Sequence, residues 1–172
     1  MHVLIATTGA LSPGPVARFA SRLAGDDKVT VTTVVGIPRS FLEVLRSEEW
    51  HPLATEDETA NRKTQEETLV ARYVEERGRK LTDPIIAALR ADGIEATPVY
   101  LEGQDPAAVI SRAAEDLDVD VVILGATRQI FDDWESVSAR VMIESRRPVL
   151  VVPAPTGESR VDPNDGDWQE SE

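Results

Sequence analysis

The chain has 172 residues, 41% of them apolar, which is enough for one ordinary domain around a single core. Its formal charge of −13 repels phosphate backbones and anionic lipid, which excludes nucleic acid and membrane surfaces as natural partners and leaves neutral, cationic or locally shielded ones. There is no cysteine, and His2 and His51 are the only histidines. Disulfides, thiolate metal sites and thiol catalysis are thereby excluded, and a histidine zinc cluster or a histidine-relayed nucleophile has no material.

The N-terminal apolar stretch "VLIA" is too short for a signal peptide, and no run reaches membrane-spanning length, so a cytoplasmic protein without membrane insertion is the expectation. Lysine occurs only at Lys28, Lys63 and Lys80 among 18 basic residues. That balance fits a salt-rich, halophilic cytosol and an ordinary acidic protein equally well.

Residues 2–7, "HVLIAT", read as a first buried strand, followed by a turn, "TGALSPGP". Ser12 can cap a helix with Pro13 at its first position; Val16, Phe19, Ala20 and Leu23 then share a face, and Gly25 stops it. "VTVTTVVG" (29–36), rich in β-branched residues, is the second strand and completes a strand–helix–strand unit. A long connection follows. "SFLEVLRSEEW" (40–50) makes a short helix with Phe41, Leu42 and Leu45 inward. Thr55 and Glu58 have capping-box spacing for another helix, in which Leu69, Val70, Tyr73, Val74 and Leu81 keep the helical period. Pro84 should kink or restart that helix at Asp83, after which Ile85, Ile86 and Leu89 continue the stripe up to Gly93.

"EATPVYLE" (95–102) is the third strand, and Pro98 places it at a sheet edge rather than the centre. Asp105 and Pro106 then read as N-cap and first residue of a helix that buries Val109, Ile110, Ala113 and Leu117. "DVVILG" (120–125) is continuously apolar, as a parallel strand covered on both faces should be. The last helix is expected from about Trp134 to Ser145 with Val137, Val141 and Met142 inward, and "PVLVV" (148–152) is the last strand. Residues 154–172 are acidic and without period, and are expected to form a disordered tail behind a domain spanning 1–153.

Five strands alternating with helices imply an α/β fold: a five-stranded, parallel, doubly wound sheet with helices on both faces. Ligands in such sheets sit beyond the carboxyl ends of the strands, where the winding reverses. Thr7 and Thr8, Val34 to Gly36, and Gly125 to Ser136 would build that rim.

In this order and spacing, "VLIATTGA", "EGQDPAAVISRAAEDLDVDVVILGATR" and "RRPVLVVP" resemble the universal stress protein (UspA) family over residues 2–153. The resemblance implies a Rossmann-like sheet of the universal stress type, a homodimer formed through the last strand, and membership of either an ATP-binding or a non-binding branch. The binding branch carries G-x2-G-x9-G-[ST], in which glycine backbones approach the phosphates. Gly125 matches the first glycine and Ser136 the hydroxyl; Arg128 and Glu135 stand at the other two glycines, the loop is three residues shorter, and Thr8 replaces an acidic residue that meets adenine. If a nucleotide binds, the resemblance assigns it Thr7, Thr8, Val34, Gly125, Thr127, Arg128, Ser136 and Val137.

A helix N-terminus attracts phosphate through its unpaired N–H groups and its dipole. Asp132 as N-cap and Glu135 three residues on would occupy those groups, with Asp133 adding charge. Each carboxylate–phosphate pair would cost about 1 to 4 kcal/mol near a protein surface. On this reading the motif is degraded and nucleotide binding is lost, with neither cofactor nor metal expected; ATP or AMP held with the help of Arg128 is the alternative.

The remaining candidates have plainer readings. Ser12 reads as a cap and "DDWE" as helix-start acids rather than a cation site. "EDLDVD" (115–120) reads as a solvated helix end, and Arg146 and Arg147 as complements to a helix dipole. Trp134 is either a contact surface or a cover for the neighbouring loop. No nucleophile, base or metal site can be named. The expectation is a homodimeric stress-response or regulatory protein that binds a protein partner and does not catalyse, pairing through strand 148–152, whose apolar edge calls for cover.

Overall fold

The computed structural model of the chain describes residues 1–9, 11–25, 27–47, 56–126 and 136–153. The elements, in order, are β1 (Val3–Ala6), α1 (Pro13–Ala24), β2 (Val29–Val35), α2 (Arg39–Ser47), α3 (Glu56–Ala91), β3 (Ala96–Glu102), α4 (Pro106–Asp116), β4 (Val121–Gly125), α5 (Val137–Glu144) and β5 (Val149–Val152). All four strand pairings are parallel, and the sheet order is β3-β2-β1-β4-β5. Pro98 thus lies on an edge strand. So does the all-aliphatic β5, at the opposite edge.

The central strands are buried on both faces because helices cover both. Side chains alternate along a strand, so Val3, Ile5 and Ile123 pack under α1 and the C-terminal part of α3, where Val16, Ala20, Ile85 and Leu89 meet them. Leu4, Ala6, Val122 and Leu124 point the other way, to Ala107, Ile110 and Ala114 of α4 and Val141 of α5. A third cluster, Val35, Ile37 and Val74 with Phe41 and Tyr73, gathers at the carboxyl end of β2, where the two rings stack with centroids 4.8 Å apart.

Four local expectations change. Phe19 and Leu69 are exposed; the buried stripe of α1 is Val16, Ala17, Ala20 and Ala24, because helix α3 packs close enough to favour small side chains there. Ser12 holds the N-cap position of α1 but makes no side-chain capping bond. Helix α3 runs unbroken through Pro84 for 36 residues. A proline inside a helix costs about 3 kcal/mol through a lost bond and a ring clash, and burial of Val74 before it and of Ile85 and Leu89 after it holds both halves in line. Gly78 lets this helix lie on the sheet, since a Cβ there would come within 2.3 Å of the Tyr100 ring.

The fourth change is the last helix, which begins at Val137 rather than Trp134 and leaves Met142 exposed instead of inward. Arg146 and Arg147 fall beyond its end and pair instead with the end of α4: Arg147 donates to Asp118 at 2.6 Å, and Arg146 lies 3.6 Å from Glu115. "EDLDVD" is therefore a docking strip for the approach to β5, not merely a solvated end. His2 braces the same end of the sheet. Its Nδ1–H donates to the Leu117 carbonyl at 3.1 Å, which leaves Nε2 to accept from the Thr30 hydroxyl at 2.8 Å. Burial, with Lys28 nearby, holds the imidazole pKa below its usual 6.5.

Candidate functional site

The winding reverses between β1 and β4, so the crevice at the carboxyl ends of those two strands is the candidate site. The β1–α1 turn forms one side. Thr7 is buried; its N–H donates to the Thr32 carbonyl, and its hydroxyl accepts the Gly9 N–H at 2.9 Å. Gly9 makes that tight turn at φ +91°, a backbone conformation glycine tolerates. Thr8 is exposed.

Across the crevice, β4 ends at Gly125. A Cβ on Gly125 would stand 2.9 Å from Leu11 Cδ2 and 3.2 Å from Leu11 Cγ. Leu11 is 7% exposed and belongs to the core cluster of Ile5 and Ile123. The glycine that matches the first position of the phosphate motif therefore makes room for a leucine of the same chain. Nothing in the sequence singled out Leu11 except that it is an apolar residue inside a turn.

Ser136 opens α5: its hydroxyl accepts the Ala139 N–H at 3.2 Å and lies 3.2 Å from the Ser138 hydroxyl. This corrects the capping scheme that places Asp132 at the N-cap and Glu135 at the third helical position. With Ser136 as cap, both acids precede the helix and its first turn contains none. Two good capping types compete in "DDWES", and the one directly before the apolar period wins. Val137 and Val34, both half-buried, pack on the Leu4–Val122 cluster rather than facing an open site. Thr127, Arg128, Asp132, Asp133, Trp134 and Glu135 lie outside the described residues.

The openings of α4 and α5 are tied together. Asp105 caps α4 by accepting the Ala108 N–H at 3.4 Å, and both its carboxylate oxygens receive Arg140, at 2.8 and 2.9 Å. Arg140 also donates to Glu144 at 2.7 Å. Its hydrogen bonds hold the Asp105 carboxyl below its usual 3.8 and raise its own affinity for the proton. Sequence reasoning found the cap but missed the arginine, because the partners stand 35 residues apart. Nearby, the Gln104 amide donates to the Ile37 carbonyl at 3.2 Å, joining the ends of β2 and β3.

The described rim therefore offers hydroxyls, amides and one arginine already doubly paired. His2 lies at the opposite end of β1, and among the described residues no group of histidines and carboxylates could hold a metal ion. Also among them, no helix is long and apolar enough to cross a membrane. Such hydroxyls and amides can donate to and accept from a bound ligand.

Comparison with known proteins gives a consistent picture. The universal stress protein family model matches residues 1–153. Among solved structures, a protein of that family from Burkholderia pseudomallei is 21% identical, with a TM-score of 0.56 over 89% of this chain and 96% of that one. A universal stress protein in complex with cAMP is 17% identical, with a TM-score of 0.53 over 90% and 98%. An Arabidopsis thaliana family member with AMP bound is 15% identical, with a TM-score of 0.54 over 95% and 97%. No curated protein matches at a significant level. Identities this low speak for the fold, and the family match carries the assignment: the chain belongs to the universal stress protein family.

Proposed function

We propose that this chain is a stress-response or regulatory binding module that acts as a homodimer and does not catalyse, and that its nucleotide site has been lost. One observation carries the reading: Leu11 packs into the space that Gly125 leaves open at the switch point, where a phosphate chain would need to approach backbone. A fold is often kept while its site changes. The dimer would form by antiparallel pairing of two β5 edges about a two-fold axis, since Val149 to Val152 are all aliphatic and half-buried in the single chain. Met142 and Ile143 on α5, 53% and 76% exposed, are further apolar surface that a partner could cover.

A nucleotide switch is the second reading, favoured by the serine cap and acid-free first turn of α5, and by relatives of the same fold solved with AMP or cAMP. Isothermal titration with ATP, AMP and cAMP in the presence of Mg²⁺ separates the two. The loss reading expects no heat of binding for the wild type and a gain for Leu11→Ala combined with Glu135→Gly. Micromolar binding by the wild type would replace it with the switch.

A further inference from the structure

A groove of about 560 Å³ runs between α3 and the edge strand β3, separated from the β1–β4 crevice by β2 and at the opposite edge of the sheet from β5. One wall is a single helical stripe, Glu67, Val70, Val74 and Glu75; the other is Tyr100 and Glu102. Val74 is buried and Val70 and Tyr100 are half-buried, so the floor is apolar, while Glu67, Glu75 and Glu102 are exposed at the margin. Glu75 shares its charge with Arg79 at 2.6 Å. Among the described residues neither Glu67 nor Glu102 has a basic partner.

The backbone of β3 adds direction. Gly103 N–H donates to the Val35 carbonyl, and Val99 O accepts the Thr32 hydroxyl, so by alternation residues 97, 99 and 101 face β2. Ala96, Pro98, Tyr100 and Glu102 turn their peptide groups outward. Pro98 has no N–H to offer, which limits the usable edge to its Tyr100–Glu102 end, beside the groove.

We propose that this groove binds an extended basic segment of a partner protein, one that alternates lysine or arginine with aliphatic side chains. The segment would pair with the outward peptide groups of Tyr100 and Glu102. Its apolar side chains would cover Val70, Val74 and Tyr100, and its cations would meet Glu67 and Glu102. The two walls agree in length: Glu67 to Glu75 spans roughly 12 Å of helix, and three to four extended residues span about the same. Other occupants fit less well. The chain's own residues 154–172 carry six acids against one arginine, and a second copy would set the same carboxylates against each other. The proposal deepens the partner-binding reading above but depends on neither the dimer nor the nucleotide.

The test is fluorescence anisotropy with a labelled peptide of about eight residues alternating lysine and valine, at roughly 50 mM salt, where surface charge is weakly screened. The wild type should bind, and Glu67→Lys/Glu102→Lys should weaken binding by about tenfold or more. Glu115→Lys/Asp116→Lys, the same charge change on α4 across the sheet, should leave it near wild type. A lysine–serine peptide should bind at least about tenfold more weakly, having nothing to bury. In ¹⁵N spectra the Tyr100 and Glu102 amides should shift. Absence of binding overturns the proposal, as does equal loss in both double variants or equal binding of the serine peptide. All four positions are exposed and the far-side variant is a matched control. Repeating the titration on a monomeric β5 variant separates failure of the groove from failure of the dimer.

Discussion

The two edges of the sheet solve the same problem differently. The β3 edge is defended within the chain: Pro98 removes a donor, Glu102 adds charge, and α3 lies alongside, close against Tyr100 through Gly78. Among the described residues β5 has no such device. Its four residues are valine and leucine, all half-buried in the single chain. A guarded edge tolerates water and admits selected ligands, whereas an unguarded aliphatic one calls for a permanent cover. The two edges of one sheet are thereby suited to different kinds of partner.

Both edges depend on the centre, where the largest effect is expected. Ile123→Ala removes a fully buried side chain from β4 and should lower stability by about 2 to 5 kcal/mol. Thermal unfolding should fall by about 5 to 15 °C. A smaller loss would mean that the centre repacks and that the edges are less coupled than the core clusters imply. Val151→Lys breaks the comparison at β5. In the proposed dimer a lysine there would be buried unpaired, and the dissociation constant should rise by about 100-fold in sedimentation velocity. An unchanged dimer would place the contact on another face.

Pro98→Val sharpens the comparison from the other side. It restores an outward N–H and a strand-forming side chain to the guarded edge, and should make light scattering at high protein concentration show association beyond that of the wild type. The domain's own stability should move by less than about 1 kcal/mol.

The smallest effect lies at the opposite end of the central strand. The folded pKa of His2 is depressed, so the unfolded chain binds the extra proton first as pH falls. The stability His2 contributes is therefore complete above its ordinary value of 6.5 and declines as pH drops through 6.5 toward the folded value. Urea midpoints at pH 8 and pH 5 should show that decline, and His2→Gln should flatten it. Asp105 acts lower on the scale. Its stabilising bond to Arg140 is complete above 3.8 and lost as pH falls below that.

The edges were legible in the sequence and the crevice was not, for physical reasons. Apolar runs and a lone proline act through nearest neighbours along the chain, so Pro98 at an edge and Val121 to Leu124 at the centre could be read directly. The start of α5 could not, because "DDWES" offers several competent caps and only packing of Val137 and Val141 selects among them. Leu11 on Gly125 and Arg140 on Asp105 join residues far apart in sequence, and no local pattern announces such pairs. The crevice is built from contacts of that kind.

The serine cap at Ser136 and the Ala126 N–H, which donates to the Val152 carbonyl at 2.7 Å, fix the exit from β4 and the entry to α5. With the strand exit and the helix entry held by their own bonds, the scaffold does not depend on which residues the sequence places between them. On the proposed reading the architecture outlives a lost nucleotide, and new binding roles can be tried at the margins of an unchanged frame.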